Sequence, residues 1–270
     1  MPQTQTFTIS GFWPGAGPGR APLAAGFRLG EIGTHSSRTI MLADFTATLA
    51  AAPRNADRRA YAAAIIEANC LGKPTASTRR LSNQRLGELY SLDPGAPLFR
   101  ILRRLWAIDE PGRPLLALLA ALARDPLLIA TASVIIPMPE GVEFQRMQMK
   151  AALDAAAGER LKPTIIDKTV RNTASSWTQS GHLHGRTFKF RRLVRATAPA
   201  VAFALYLGQA AGFRGEELFS SGWMSVLDCT VSRARALAAE AKRLNLIDFR
   251  TAGDVVEFGL EKLDPAARRK

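Results

Sequence analysis

Two apolar runs, residues 115–123 and 127–136, are separated by Arg124-Asp125-Pro126. Nothing else narrows the fold as much. Inside lipid, charges and a proline at the midpoint of a span are costly, because the charges lose hydration and the helix loses a hydrogen bond. In water the same stretch reads as two helices joined at a corner, apolar all round and therefore buried. A third run, residues 196–213, is uncharged for 18 residues and follows Arg191, Arg192 and Arg195. Its alanines, with Pro199, Gly208 and Gln209, barely reach a spanning length and suit a core helix better. The expectation is a mainly α, cytoplasmic chain without membrane insertion.

With 270 residues, 47% of them apolar and 22% charged, there is ample material for a buried core. Cys70 and Cys229 stand 159 residues apart, which excludes a disulfide framework or cysteine zinc site and suits reduced, buried thiols. No charged residue precedes Arg20, so the N-terminus lacks the basic region of a secretory signal. Residues 1–22, rich in glycine and proline, read as a flexible arm. The remainder divides into a helical segment at 23–137, a basic unit at 138–195 and a C-terminal helical unit at 196–270.

Lysine and arginine total 36 against 23 acidic residues, a formal charge of +13. Such an excess points to a polyanionic partner. Residues 160–195 hold nine basic side chains against Asp167 alone. From Pro163, Ile166, Val170, Thr173 or Ala174, and Trp177 recur at helical spacing, and Gly181 is a natural terminator. The opposite face carries Lys168, Arg171, Asn172, Ser175 and Gln179, types used on phosphates and base edges. Phe188 and Phe190 then alternate with Lys189 and Arg191, the period of a half-buried strand. Gly185-Arg186 would turn back to a short strand at residues 182–184, and Arg192 extends the basic run. A polar, basic helix followed by a basic hairpin is the order of a winged helix-turn-helix.

The layout recurs near the C-terminus. Val231, Ala234, Leu237, Ala241 and Leu244 share a helix face, and residues 246–249 and 255–258 read as strands around a turn at 251–254. Ten basic residues against nine acidic ones in 214–270 suit packing or a protein partner at least as well as DNA. In the N-terminal third, residues 24–52 and 60–71 read as helices. A third helix is capped by Thr75 and bears a second basic surface of Lys73, Arg79, Arg80 and Arg85 with Asn83 and Gln84.

The run Asn69-Cys-Leu-Gly-Lys-Pro-Thr-Ala-Ser-Thr-Arg-Arg-Leu, then Arg85-Leu-Gly-Glu-Leu-Tyr90, then a Leu/Ala-rich helix ending Ala123-Arg-Asp-Pro-Leu-Leu128 resembles the BrxA family of BREX phage-defence systems. Lys162-Pro-Thr-Ile-Ile-Asp-Lys-Thr-Val with Ser180-Gly-His-Leu is similar to that family's middle segment. The resemblance spans roughly residues 20–260. It implies a mostly helical DNA-binding accessory protein that works with other defence-system proteins and is not the methyltransferase.

Catalytic signatures are missing from the sequence. His182 and His184 alternate without a Cys, Asp or Glu to complete a metal site, and read as wing residues near phosphate. Gly15-Ala-Gly-Pro-Gly19 lacks a P-loop ending, and Pro18 removes a backbone donor. No Gly-x-Ser-x-Gly elbow occurs. The expected function is therefore non-catalytic binding of double-stranded DNA without a cofactor. A winged-helix transcriptional regulator and a protein–protein adaptor are the alternatives, and RNA duplex is a further possible ligand.

Overall fold

The Arg124-Asp125-Pro126 break is a sharp corner. Helices α1 (Ala21–Ala25), α2 (Leu42–Ala51), α3 (Arg58–Ile66), α4 (Ala76–Tyr90) and α5 (Pro97–Ile108) precede it. The corner joins α6 (Arg113–Leu122) to α7 (Pro126–Ala130) and α8 (Ala132–Ile135), with the two arms bent by 99°. Every residue from Leu115 to Ala123 is buried. The computed structural model describes residues 9–15, 21–28, 33–252 and 255–266. Among them no single helix is long and apolar enough to cross a membrane.

After the corner come α9 (Arg146–Ala157), α10 (Pro163–Gln179), α11 (Ala198–Ala211), the short α12 (Glu217–Ser220) and α13 (Gly222–Ser225), and α14 (Val231–Arg243). Side-chain caps fix many starts: Asp57 for α3, Thr75 for α4, Asp125 for α7, Thr197 for α11 and Thr230 for α14. Prolines occupy the first turns of α5, α6, α7, α10 and α11, where a missing N–H costs nothing. Among the described residues two antiparallel ladders complete the fold: β1 (Leu183–His184) with β2 (Phe190–Arg191), and β3 (Asp248–Ala252) with β4 (Val255–Gly259). The C-terminal turn expected at 251–254 falls partly on residues 253–254, outside the described residues.

Helix α11 is the central element. It buries Val201, Phe203, Leu205 and Leu207 and packs on α5, α6, α13 and α14. Buried side chains from Phe12 to Leu263 belong to one contiguous core.

Two expectations need correction. The N-terminal arm is not free over residues 9–15. Phe12 and Trp13 are buried and meet Trp223 edge-on at 5.0 and 6.0 Å. Trp223 also donates its indole N–H to the Phe12 carbonyl at 2.9 Å. Gly222 makes room for this, since a Cβ there would stand 2.8 Å from the Gly11 carbonyl oxygen. Residues 1–8 and 16–20 of the arm lie outside the described residues.

The helix expected over 24–52 is also interrupted. α1 ends at Ala25, Gly26 takes φ +101°, a 3-10 turn covers Thr34–Ser36, and α2 starts only after Met41 at φ +49°. Gly33 explains part of the break: a Cβ there would sit 2.0 Å from the Asp125 carboxylate, so this backbone hugs the corner of α7.

Candidate nucleic-acid interface

Helix α10 carries the stripe read from sequence, with Ile166, Val170, Thr173, Ala174 and Trp177 buried. Trp177 donates to the Thr131 hydroxyl at 2.8 Å, so burial leaves its N–H satisfied. Lys168 and Arg171 project from the opposite face, exposed and without a hydrogen bond or ion pair among the described residues.

The amides of that face have another task. Asn172 donates from Nδ2 to the His35 carbonyl at 2.8 Å, and Gln179 Oε1 accepts the Leu42 N–H at 3.1 Å. Ser175 is half-buried and accepts from Gln179 Nε2 at 3.4 Å. Asn172 was expected to approach base edges; its donor is instead spent holding the segment that leads into α2.

The hairpin is smaller and differently oriented than its alternation suggests. Its ladder pairs Leu183 with Arg191 and His184 with Phe190, leaving Gly185–Lys189 as a five-residue tip. Residues 141–144 add a third edge: the Arg191 N–H donates to the Val142 carbonyl at 2.8 Å and the Phe144 N–H to the Lys189 carbonyl at 2.7 Å. The expected facing is reversed. Phe188 is 65% exposed and Arg191 is fully buried.

Arg191 therefore cannot reach a phosphate, contrary to the sequence expectation. Its guanidinium makes a two-point pair with Asp228, Nη1 to Oδ2 at 3.0 Å, and its Nε donates to the Ile135 carbonyl at 3.0 Å. His182 is equally sealed, with Nε2 against the Val226 carbonyl at 2.7 Å and Nδ1 against Ser180 Oγ at 2.8 Å. Burial lowers its pKa to about 4, so it is a neutral core residue, not a wing contact. Lys189 bends back to Thr178 Oγ1 at 2.9 Å, and its partial burial lowers its pKa. Arg186 and Arg192 do remain exposed on the hairpin.

The second basic surface divides similarly. Lys73 pairs with Asp44 at 3.0 Å and Arg85 with Glu88 at 2.8 Å. Burial would raise the Glu88 pKa, but hydrogen bonds from Arg85, Thr34 and Gln84 outweigh it and the net shift is downward. Arg79 is half-buried, and Arg80 is exposed.

A polar cleft of about 510 Å³ lies between the two surfaces. It brings Lys73 together with Asn172 and Gln179, and adds Arg38, Asp44 and Thr78. Arg38 was not singled out from the sequence, where it stands alone among polar residues. Lys162 and Arg195, also exposed, were legible only as members of the charge run.

One further constellation is the hydrogen-bonded chain Asp125–His35–Ser176. His35 Nδ1 lies 2.8 Å from Asp125 Oδ2 and Nε2 lies 2.8 Å from Ser176 Oγ. All three side chains are sealed from solvent, and Ser176 Oγ also accepts the Ile40 N–H and donates to the Asn172 carbonyl, each at 2.9 Å. A nucleophile needs access to its substrate. This serine has none, and the chain ties α7, α10 and the 34–40 segment together. Among the described residues no group of three or more metal-ligating side chains gathers.

No family model, curated protein or solved structure matches the chain.

Proposed function

We propose that this is a non-catalytic, double-stranded-DNA-binding accessory protein of a BREX-type phage-defence system, acting beside other defence proteins. The observation that carries the DNA reading is the unpaired charge on one helix–hairpin unit. Lys168, Arg171 and Arg186 stand exposed without an ion pair, and Arg192 and Arg195 are exposed beside them. Such cations neutralise phosphates and release counterions. The α9–α10–hairpin order supports a winged helix-turn-helix docking mode, with α10 towards a groove and the Gly185–Lys189 tip along the backbone. The BREX assignment rests on the sequence resemblance to BrxA alone.

The test is binding of a labelled duplex across a salt series, with a Lys168→Glu/Arg171→Glu/Arg186→Glu variant beside the wild type. Arg191 is left intact because its loss would damage the core. The expected result is a steep wild-type slope that falls by about 3 in the variant, at roughly 0.9 per lost phosphate contact. No wild-type binding at low salt overturns the reading. A matched RNA duplex run in parallel decides between the two nucleic acids.

A protein-adaptor reading has its own support. Phe188 at the tip and Leu193 just beyond the hairpin are 65% and 49% exposed, two large apolar side chains on the same basic unit that a protein partner would cover. Unchanged capture of defence proteins by the DNA-deficient variant would favour it.

A further inference from the structure

A second cleft, on the outer face of α5, is unlike the polar one. About 450 Å³ in volume, it falls within the ~300–1,000 Å³ range of small-ligand sites. Tyr61 and Phe99, almost wholly buried and packed edge-on at 5.4 Å, contribute its apolar side, with Ala107 and Ile108. Ile108 is 58% exposed, an apolar wall left facing water. The rim is cationic: Arg54, Arg100, Arg103 and Arg104 line the cleft, and no carboxylate does.

The four guanidiniums are not equally committed. Arg100 is neutralised by a two-point pair with Asp264, at 2.9 and 2.6 Å. Arg104 donates to the Lys262 carbonyl and Arg103 to the carbonyls of Leu49, Ala52 and Pro53 at 3.2–3.3 Å, contacts that hold the side chains but leave their charge uncompensated. Arg103 also lies over the Tyr61 ring at 5.9 Å, and its Nε is buried without an acceptor. Arg54 is exposed and has no polar partner among the described residues. Buried donors are rarely left unpaired, and three uncompensated arginines around an apolar floor favour an anion.

We propose that this cleft binds a small anion carrying a flat aromatic ring, the chemistry of a nucleoside phosphate. The ring would lie against Ala107 and Ile108, above the buried Tyr61–Phe99 pair, and the phosphate between Arg54, Arg103 and Arg104. Guanidinium forks match phosphate oxygens two at a time, and their planes also stack on bases. Neither half of the cleft explains the other: an anion site needs no apolar wall, and an apolar site needs no arginine rim. The site does not depend on α10 or its DNA reading.

The experiment is calorimetric titration of the full chain with AMP, GMP, CMP and UMP, beside inorganic phosphate and adenosine as controls for charge and ring alone. At least one nucleotide should saturate a single site about tenfold more tightly than either control. Arg54→Glu should weaken it by about tenfold or more without unfolding the protein, because that side chain supports nothing in the fold. Arg104→Gln is the second variant, read only after its helical content is checked. The Lys168→Glu/Arg171→Glu/Arg186→Glu variant should bind the nucleotide as wild type does. The proposal is overturned if no nucleotide binds at about 1 mM, if phosphate alone binds as tightly, if Arg54→Glu is without effect, or if the α10 variant abolishes binding.

Discussion

Arg191 and Asp228 form a buried ion pair, Nη1 to Oδ2 at 3.0 Å, with side chains 0% and 4% exposed. Asp228 Oδ2 also accepts the Val194 N–H at 2.9 Å, so one carboxylate fastens the hairpin, the segment that leaves it and the turn before α14. Removing one partner leaves the other charge buried and unpaired. Asp228→Ala should therefore cost about 3–5 kcal/mol in urea unfolding. Replacing both with Arg191→Met/Asp228→Asn should recover part of that loss, because asparagine tolerates the φ of +50° at this position and its Oδ1 still accepts the Val194 N–H. A double variant no more stable than Asp228→Ala would contradict this account.

The docked N-terminal segment gives a second prediction. Trp13 is 4% exposed and lies 5.7 Å from Phe27 as well as edge-on to Trp223. Trp13→Ala should destabilise the fold by about 3–5 kcal/mol, the range for deleting a buried large aromatic. Deleting residues 1–15 should do at least as much, because Trp223 then also loses its carbonyl acceptor. A free arm would give no change in Tm, and differential scanning calorimetry separates the outcomes.

Asn172 and Arg186 should behave in opposite ways. Asn172→Ala strips a hydrogen bond from the buried His35 backbone and should cost about 1–3 kcal/mol, with the salt slope of DNA binding unchanged. Arg186→Ala touches no partner and should shift stability by less than about 0.5 kcal/mol, while lowering the slope by roughly 0.9. Paired unfolding and binding curves on the two variants test the division of α10 and its hairpin into holding and contacting residues.

What the sequence disclosed follows from the range of the interactions concerned. Caps and stripes are local, so Thr75, Pro163 and the Ile166–Val170–Trp177 face placed α4 and α10 correctly. The apolar runs around Arg124-Asp125-Pro126 likewise had to be buried wherever they packed. The fate of Arg191 was not legible, because its partner lies 37 residues away and a strand's alternation does not say which face turns inward. The same holds for Asn172, whose acceptor is 137 residues away, and for Phe12 and Trp13, whose pocket is built by α13. Charge counting located the basic unit but could not divide its cations between core and surface. Arg100, Arg103 and Arg104 of the α5 cleft were readable as an i, i+3, i+4 stripe, yet their meaning depends on Arg54 and on Tyr61, brought in from α3.

Acid should destabilise the protein over two pH windows. His182 is buried and neutral, its pKa lowered by burial to about 4 from an ordinary value of 6.5. Between those values the unfolded chain holds a proton that the folded one refuses, so stability falls as pH falls through this window. The loss by pH 4 is about 3 kcal/mol. The neutral tautomer also fits the contacts, with Nε2–H donating to the Val226 carbonyl and Nδ1 accepting from Ser180. Asp125 acts lower. Burial opposes its charge, but His35 and the N–H groups at the start of α7 outweigh burial and lower its pKa. Its contribution is present above the ordinary aspartate value of about 3.9 and disappears as pH drops through its folded value. Urea midpoints between pH 7 and pH 3 should decline first over the histidine window and then again below about pH 4. His182→Gln should start from lower stability and flatten only the first decline. A first decline of full size in that variant would place the acid sensitivity elsewhere.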